Sequence, residues 1–127
     1  MITNEVVIAL GSNIEPEENL ELAVVALKSK FKVSKRSRWI QTKPIGILDQ
    51  PDFFNGVLIM VTKLGIESLK QELKSIEDLM GRDRSKPKFG PRIIDLDILI
   101  WNGKVIDKDY YDRDFLRKGV EEILPDF

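Results

Sequence analysis

The sequence predicts an α+β sandwich, a mostly antiparallel sheet with helices packed on it. Two observations support that reading. Segments with strand and helix signatures follow in the order β, α, β, β, α, β, β, α, without the strict alternation of a doubly wound parallel sheet. Asn102-Gly103, the dipeptide that type I′ turns prefer, joins two of the strands as an antiparallel hairpin. The 127 residues, 43% of them hydrophobic, suffice for one core, so residues 1–127 are read as one domain.

Glu5 to Leu10 is a run rich in Val and Ile that leaves the sheet through Gly11-Ser12-Asn13. Pro16 suits a first helical turn, and Glu15, Glu17 and Glu18 complement the positive end of the helix dipole, so this acidic cluster reads as a helix start rather than a metal site. Leu20, Ala23, Val24, Leu27 and Phe31 then keep helical spacing. Lys32 to Gln41 mixes β-branched, aromatic and basic residues as an exposed strand would. Thr42 to Asp52 holds two prolines and a glycine, a loop of about ten residues, long enough in a compact domain to suggest binding. Phe53 to Lys63 resumes a strand pattern. Ile66, Leu69, Leu73, Ile76 and Met80 mark a second helix that stops at Gly81, and their stripe is core. Ile93 to Trp101 is a strand, Lys104 to Asp107 its hairpin partner, and Phe115 to Leu124 a short last helix.

Composition removes several chemistries. With no Cys and no His, thiol nucleophiles, disulfides, Cys or His zinc sites and imidazole acid–base catalysis are excluded. Catalysis must then run on carboxylates, cations, hydroxyls or a bound metal ion. Twenty Lys plus Arg against 21 Asp plus Glu give a net charge of −1 and no overall pull toward nucleic acid. The longest apolar run, Ile93 to Trp101, is too short to span a bilayer, and the first ten residues lack the basic start of a signal peptide. The expected protein is cytoplasmic, without a membrane or nucleic-acid partner, and a monomer, with a dimer as the alternative.

Asp95 and Asp97 stand two apart in a strand, so both carboxylates project from one face while Ile94, Leu96, Ile98 and Ile100 fill the other. Two neighbouring carboxylates repel unless a cation or proton lies between them, and such a pair suits Mg²⁺, which takes one or two carboxylates with water and phosphate oxygens. The plain alternative is the polar face of an amphipathic strand. Residues 82–92 precede it with five cations and one anion in a stretch broken by proline and glycine, read as a mobile basic loop. A cationic loop leading into a carboxylate pair suits nucleoside triphosphate chemistry; a solvated face or nonspecific RNA binding are the alternatives. No P-loop sequence is present. Phe53 and Asn55, also two apart in a strand, offer an aromatic ring and an amide to a flat heterocycle, or simply pack.

Taken in order, Ala9-Leu10-Gly11-Ser12-Asn13, Gln50-Pro51-Asp52-Phe53-Phe54-Asn55, Gly81-Arg82-Asp83-Arg84 and Phe89-Gly90-Pro91-Arg92-Ile93-Ile94-Asp95-Leu96-Asp97-Ile98 resemble the 6-hydroxymethyl-7,8-dihydropterin pyrophosphokinase family. The resemblance implies a ferredoxin-like two-layer fold and transfer of the β,γ-diphosphate of ATP to the dihydropterin, releasing AMP, in folate biosynthesis. It implies two Mg²⁺ on Asp95 and Asp97, with Arg82 and Arg92 in the catalytic set. The pterin would lie between Phe53 and Phe115, its polar edge met by Asn55, Asp95 and the backbone of Thr42, Pro44 and Ile45. ATP would meet Lys74, Glu77, Arg82, Arg84, Phe89, Arg92, Ile98, Tyr111 and Arg113.

Departures from the family pattern are specific. A His usual before the segment matching Arg113-Asp114-Phe115 is missing, with Tyr110 the nearest residue to its place; Lys74 stands where Gln is common and Phe89 where Trp is common. The chain reaches Phe127 soon after Glu122-Ile123-Leu124-Pro125, where typical members continue. The alternatives to an active enzyme are a module that binds ATP or pterin with weakened turnover, and an RNA-binding ferredoxin-like domain.

Overall fold

The computed structural model describes residues 2–85 and 90–127. Its elements are β1 (Asn4–Ser12), α1 (Pro16–Lys30), β2 (Lys32–Arg36), β3 (Ile40–Thr42), β4 (Phe53–Thr62), α2 (Ile66–Leu79), β5 (Asp95–Trp101), β6 (Lys104–Val105), α3 (Asp109–Asp112) and α4 (Asp114–Ile123). Among the described residues the strands form one sheet in the order β2-β4-β1-β5-β6, with β3 also paired to β4, and every pairing is antiparallel. No described helix is long and apolar enough to cross a membrane.

The α+β expectation holds, with the ferredoxin-like arrangement of two helices on one face of an antiparallel sheet. Alternation along β1 sends Val6, Ile8 and Leu10 to that face, where Leu20, Ala23, Val24 and Leu27 of α1 and Leu69, Leu73 and Ile76 of α2 cover them. Each such Leu or Ile, fully buried, contributes about 1.5–3 kcal/mol. Val7, Val57, Ile59 and Leu99 point to the opposite face, and Leu116, Val120 and Ile123 of α4 cover these. Because α4 is short, it shields only part of that face.

Three details depart from the sequence reading. Ile100 does not line up with Ile94, Leu96 and Ile98. The β1–β5 register runs Val7 to Ile100 and Ile8 to Ile98, leaving Leu99 as an extra residue, and this bulge turns Ile100 toward α4. The expected strand from Lys32 to Gln41 is two strands, interrupted at Ser37. There the buried Ser37 hydroxyl accepts the Val57 N–H at 2.9 Å, and the Trp39 ring lies against Gly56 so closely that a Cβ there would sit 2.5 Å from it. Finally, β6 is only two residues, and the single turn of α3, too short for any periodic signal, follows it. Asn102 and Gly103 take the expected positive φ values of 48° and 80°.

Candidate active site

Cross-strand pairing assembles the site. Gly11 in the central strand β1 lies opposite Asn55 of β4 on one side and Asp95 of β5 on the other. One step along, Ala9 lies opposite Asp97. These rows share the face that α4 partly covers, and they become the floor of a cleft just beyond the helix start at Asp114. Gly11 is required by this crowding: a Cβ there would stand 2.7 Å from Asn55 Oδ1. The Asn55 amide is also tethered, donating through Nδ2 to Thr42 Oγ1 at 2.7 Å.

Two cavities meet at the aspartates. The first, about 270 Å³, is lined by Thr42, Ile45, Phe53, Asn55 and Phe115, with Arg92 and Arg113. The second, about 660 Å³, is lined by Lys74, Glu77, Arg84 and Ile98 among others. Asp95, Asp97 and Arg82 border both. Pro44 and Tyr111 line neither: Pro44 is buried, and Tyr111 is exposed. Tyr110 packs edge-on against Phe127 and joins the apolar cluster beneath α4, so it does not reach the cleft. Phe89 and the middle of the basic loop lie outside the described residues.

The arginines are held by carboxylates. Arg82 Nη1 stands 2.6 Å from Asp95 Oδ1 and 3.1 Å from Glu77 Oε1. Arg84 Nη2 stands 3.1 Å from both Glu77 Oε1 and Asp78 Oδ1. Arg92 is buried, with Nε 3.7 Å from Asp95 Oδ1. Arg82 Nε is buried without a hydrogen-bond partner among the described residues, a donor suited to an anionic oxygen.

Asp97 is placed differently. No hydrogen bond or ion pair reaches its carboxylate among the described residues. Burial in the cleft, then repulsion from Asp95, Glu77, Asp107 and Asp109, push its carboxyl up to about 7. Its surface is open at the cleft mouth, which tempers the first cause and leaves the second intact. Burial also raises Asp95, against the pull of Arg82 and Arg92.

This donor set fits a divalent cation of the Mg²⁺ type. Among the described residues no group of three or more acidic side chains could enclose a metal. Two carboxylates open to both cavities leave the remaining positions to water and ligand oxygens, as Mg²⁺ prefers.

Several residues at the cleft carried no individual sequence signal. Asn13, read as part of a turn and of the first block of the resemblance but given no role, is buried: its Oδ1 accepts the Arg92 N–H at 2.8 Å, and its Nδ2 donates to Gln50 Oε1 at 2.9 Å and Pro51 O at 3.0 Å. It thereby ties Arg92 to the end of the 42–52 loop. Lys43, Asp109 and Leu116 line the first cavity, and Lys70, Ile106, Asp107 and Lys108 the second. No periodicity marks the 106–109 connection.

Known proteins resemble this chain over nearly its whole length. It is 35% identical to the 2-amino-4-hydroxy-6-hydroxymethyldihydropteridine pyrophosphokinase of Haemophilus influenzae, over 94% of this chain and 81% of that protein. The protein of the same name from Bacillus subtilis is 34% identical, over 96% and 79%. A folate synthesis bifunctional protein of Arabidopsis thaliana is 39% identical over 83% of this chain, which spans only 22% of that longer protein. The family model of 7,8-dihydro-6-hydroxymethylpterin-pyrophosphokinase matches residues 7–125, and with that match the chain belongs to this family.

Proposed function

We propose that the protein transfers the β,γ-diphosphate of ATP to the hydroxymethyl group of 6-hydroxymethyl-7,8-dihydropterin, giving AMP and the dihydropterin diphosphate for folate synthesis. One observation carries this reading: the aspartate pair and Arg82 lie on the border between a small cavity flanked by aromatic rings and a larger cavity rich in cations. In this reading the chain works as a cytoplasmic monomer of one domain, with small molecules as its only partners.

Phe53 and Phe115 hold the two faces of the flat pterin, and Asn55, its amide fixed by Thr42, reads the polar edge. Placing the ring there sets its hydroxymethyl group toward the aspartates. The hydroxyl oxygen forms a bond to the β-phosphorus, the bond from that phosphorus to the oxygen bridging the α-phosphate breaks, and AMP leaves with that oxygen. Asp97, which no cation neutralises among the described residues, accepts the hydroxyl proton. Arg82 and Arg92, both steadied by Asp95, face the transferring group, where preorganised charge counts most. Asp95 and Asp97 are the residues that would hold two Mg²⁺, which would supply Lewis acidity that lowers the hydroxyl pKa. Arg113 and the 42–52 loop close the pterin side against water, which would compete as acceptor.

Incubation with MgATP and the dihydropterin is expected to form AMP only when the pterin is present. ADP as the product, or no turnover at high protein concentration, would overturn the proposal. Gly11→Ala tests the pterin side. Its methyl must displace the Asn55 carbonyl oxygen from a side chain already tethered to Thr42. The KM for the pterin should rise about 10-fold, the scale of one lost hydrogen bond, while the KM for ATP holds. Equal change in both constants would place Asn55 elsewhere in the mechanism.

A further inference from the structure

α3 is a single turn of four residues, none of them buried, and is too short to hold its own direction. Its N–H groups are spent on the carbonyls just before them: Tyr110 donates to Asp107 O at 3.1 Å, Tyr111 to Lys108 O at 2.9 Å, and Arg113 to Asp109 O at 2.9 Å. The carbonyls of Tyr110 and Tyr111 lie past the end of that ladder and need a donor from elsewhere. Arg117, in the first turn of α4, supplies it. Its Nη1 donates to Tyr110 O at 2.9 Å and also to Tyr111 O, a charge-assisted clasp on the end of the turn. α4 is a firm base for it. Leu116, Val120 and Ile123 seat that helix on the sheet, and Glu122 Oε2 accepts the Arg38 N–H at 2.9 Å.

One extended residue, Arg113, joins the two helices, with φ −125° and ψ 103°. Its side chain lines the first cavity, and its Nε stands 3.5 Å from Oδ2 of Asp109, which lines the same cavity. Arg113 belongs to neither helix, so its direction follows from the angle between them, and the Arg117 guanidinium is the strut that sets this angle. We propose that Arg117 is a positioning residue for the transfer: by tying the end of α3 to α4 it holds Arg113 and Asp109 at the first cavity, and with them the closure that keeps water from the transferring group. This role rests on the function proposed above. Where the closure loosens, water replaces the hydroxymethyl group as acceptor. Its oxygen bonds to the β-phosphorus, a proton passes to solvent, the bond to the oxygen bridging the α-phosphate breaks, and AMP and inorganic diphosphate form.

Arg117→Met keeps an apolar stem and removes both bonds, whereas Arg117→Lys keeps a cation that can donate to a carbonyl. Amide hydrogen exchange reads the strut without turnover. In Arg117→Met the Arg113 and Leu116 amides, bonded to Asp109 O and Arg113 O, should exchange about 10-fold faster, the scale of one lost hydrogen bond, while amides of β1 and β4 keep the parent rate. Steady-state kinetics read the function. The same variant should raise the pterin KM about 10-fold and form AMP in excess of dihydropterin diphosphate, the excess matched by inorganic diphosphate; the parent should form AMP and dihydropterin diphosphate in equal amounts. Arg117→Lys should bring both readouts most of the way back. A change that merely lost folded protein would lower kcat and leave the pterin KM and the product ratio at the parent values. Exchange at the parent rate, faster exchange with an unchanged KM and product ratio, or a lysine variant that recovers nothing overturns the inference and leaves the proposed reaction standing. A parent that forms no pterin-dependent AMP overturns the reaction and, with it, the role of Arg117 in excluding water.

Discussion

Asp97→Asn is expected to lower turnover by at least about 10²–10³-fold, the scale seen when one preorganised charge-stabilising group is removed, while making the metal-free protein more stable at alkaline pH. The two effects share a cause. Asp97 faces Asp95, Glu77, Asp107 and Asp109 without a cationic partner among the described residues, and its folded-state pKa is raised to about 7. A carboxyl raised in this way favours the folded state below its unfolded pKa of about 3.9, and that contribution is lost as pH climbs through the folded value. Above about pH 7 the parent holds an ionised, repelled carboxylate, and the neutral amide of the variant removes the repulsion. Thermal unfolding without metal should therefore show the variant melting above the parent at pH 8, with the gap closing toward pH 4. Mg²⁺ added at pH 8 should raise the melting temperature of the parent and leave that of the variant nearly fixed. A variant that melts below the parent at pH 8, or that turns over at a near-normal rate, would remove Asp97 from the centre of the site.

The parts of the site that follow from strand alternation were legible in the sequence. Asp95 with Asp97 and Phe53 with Asn55 are period-two pairs, and antiparallel pairing through Gly11 is what brings the two pairs side by side. Where alternation breaks, the sequence misleads. Ile100 reads as continuous with Ile94, Leu96 and Ile98, because nothing in Leu99 announces a bulge. The arginines show a second limit. Composition identifies a basic segment, but only the fold shows that Glu77 and Asp95 absorb two of its charges. Tyr110, nearest in sequence to a charged family position, instead fills the apolar space beside Phe127. Glu77 was partly visible: it falls four residues after Leu73, inside the apolar stripe of its helix, where a carboxylate needs a reason.

That reason supports a second large effect, on Glu77→Ala. Glu77 is 4% exposed, and its two oxygens serve different partners. Oε2 accepts the Leu96 N–H at 2.8 Å, on a stretch of β5 that β6 does not reach, since β6 pairs only with Ile100 and Trp101. Oε1 holds Arg82 and Arg84. One side chain thus completes the hydrogen bonding of the strand that carries both aspartates and positions the arginines beside them. Alanine leaves a buried N–H without a partner and removes the carboxylate between two guanidinium groups, costing about 2–4 kcal/mol and turnover together. Glu77→Gln separates the two roles: its amide oxygen can still accept from Leu96, so it should recover about half of the lost stability, the share of one buried hydrogen bond. The charge needed by Arg82 and Arg84 would still be missing, so AMP formation should stay low. Urea unfolding of the three proteins, set beside pterin-dependent AMP formation, makes the comparison. Stability within about 0.5 kcal/mol of the parent in Glu77→Ala, the range of an ordinary surface change, would show that β5 holds its aspartates without help from α2.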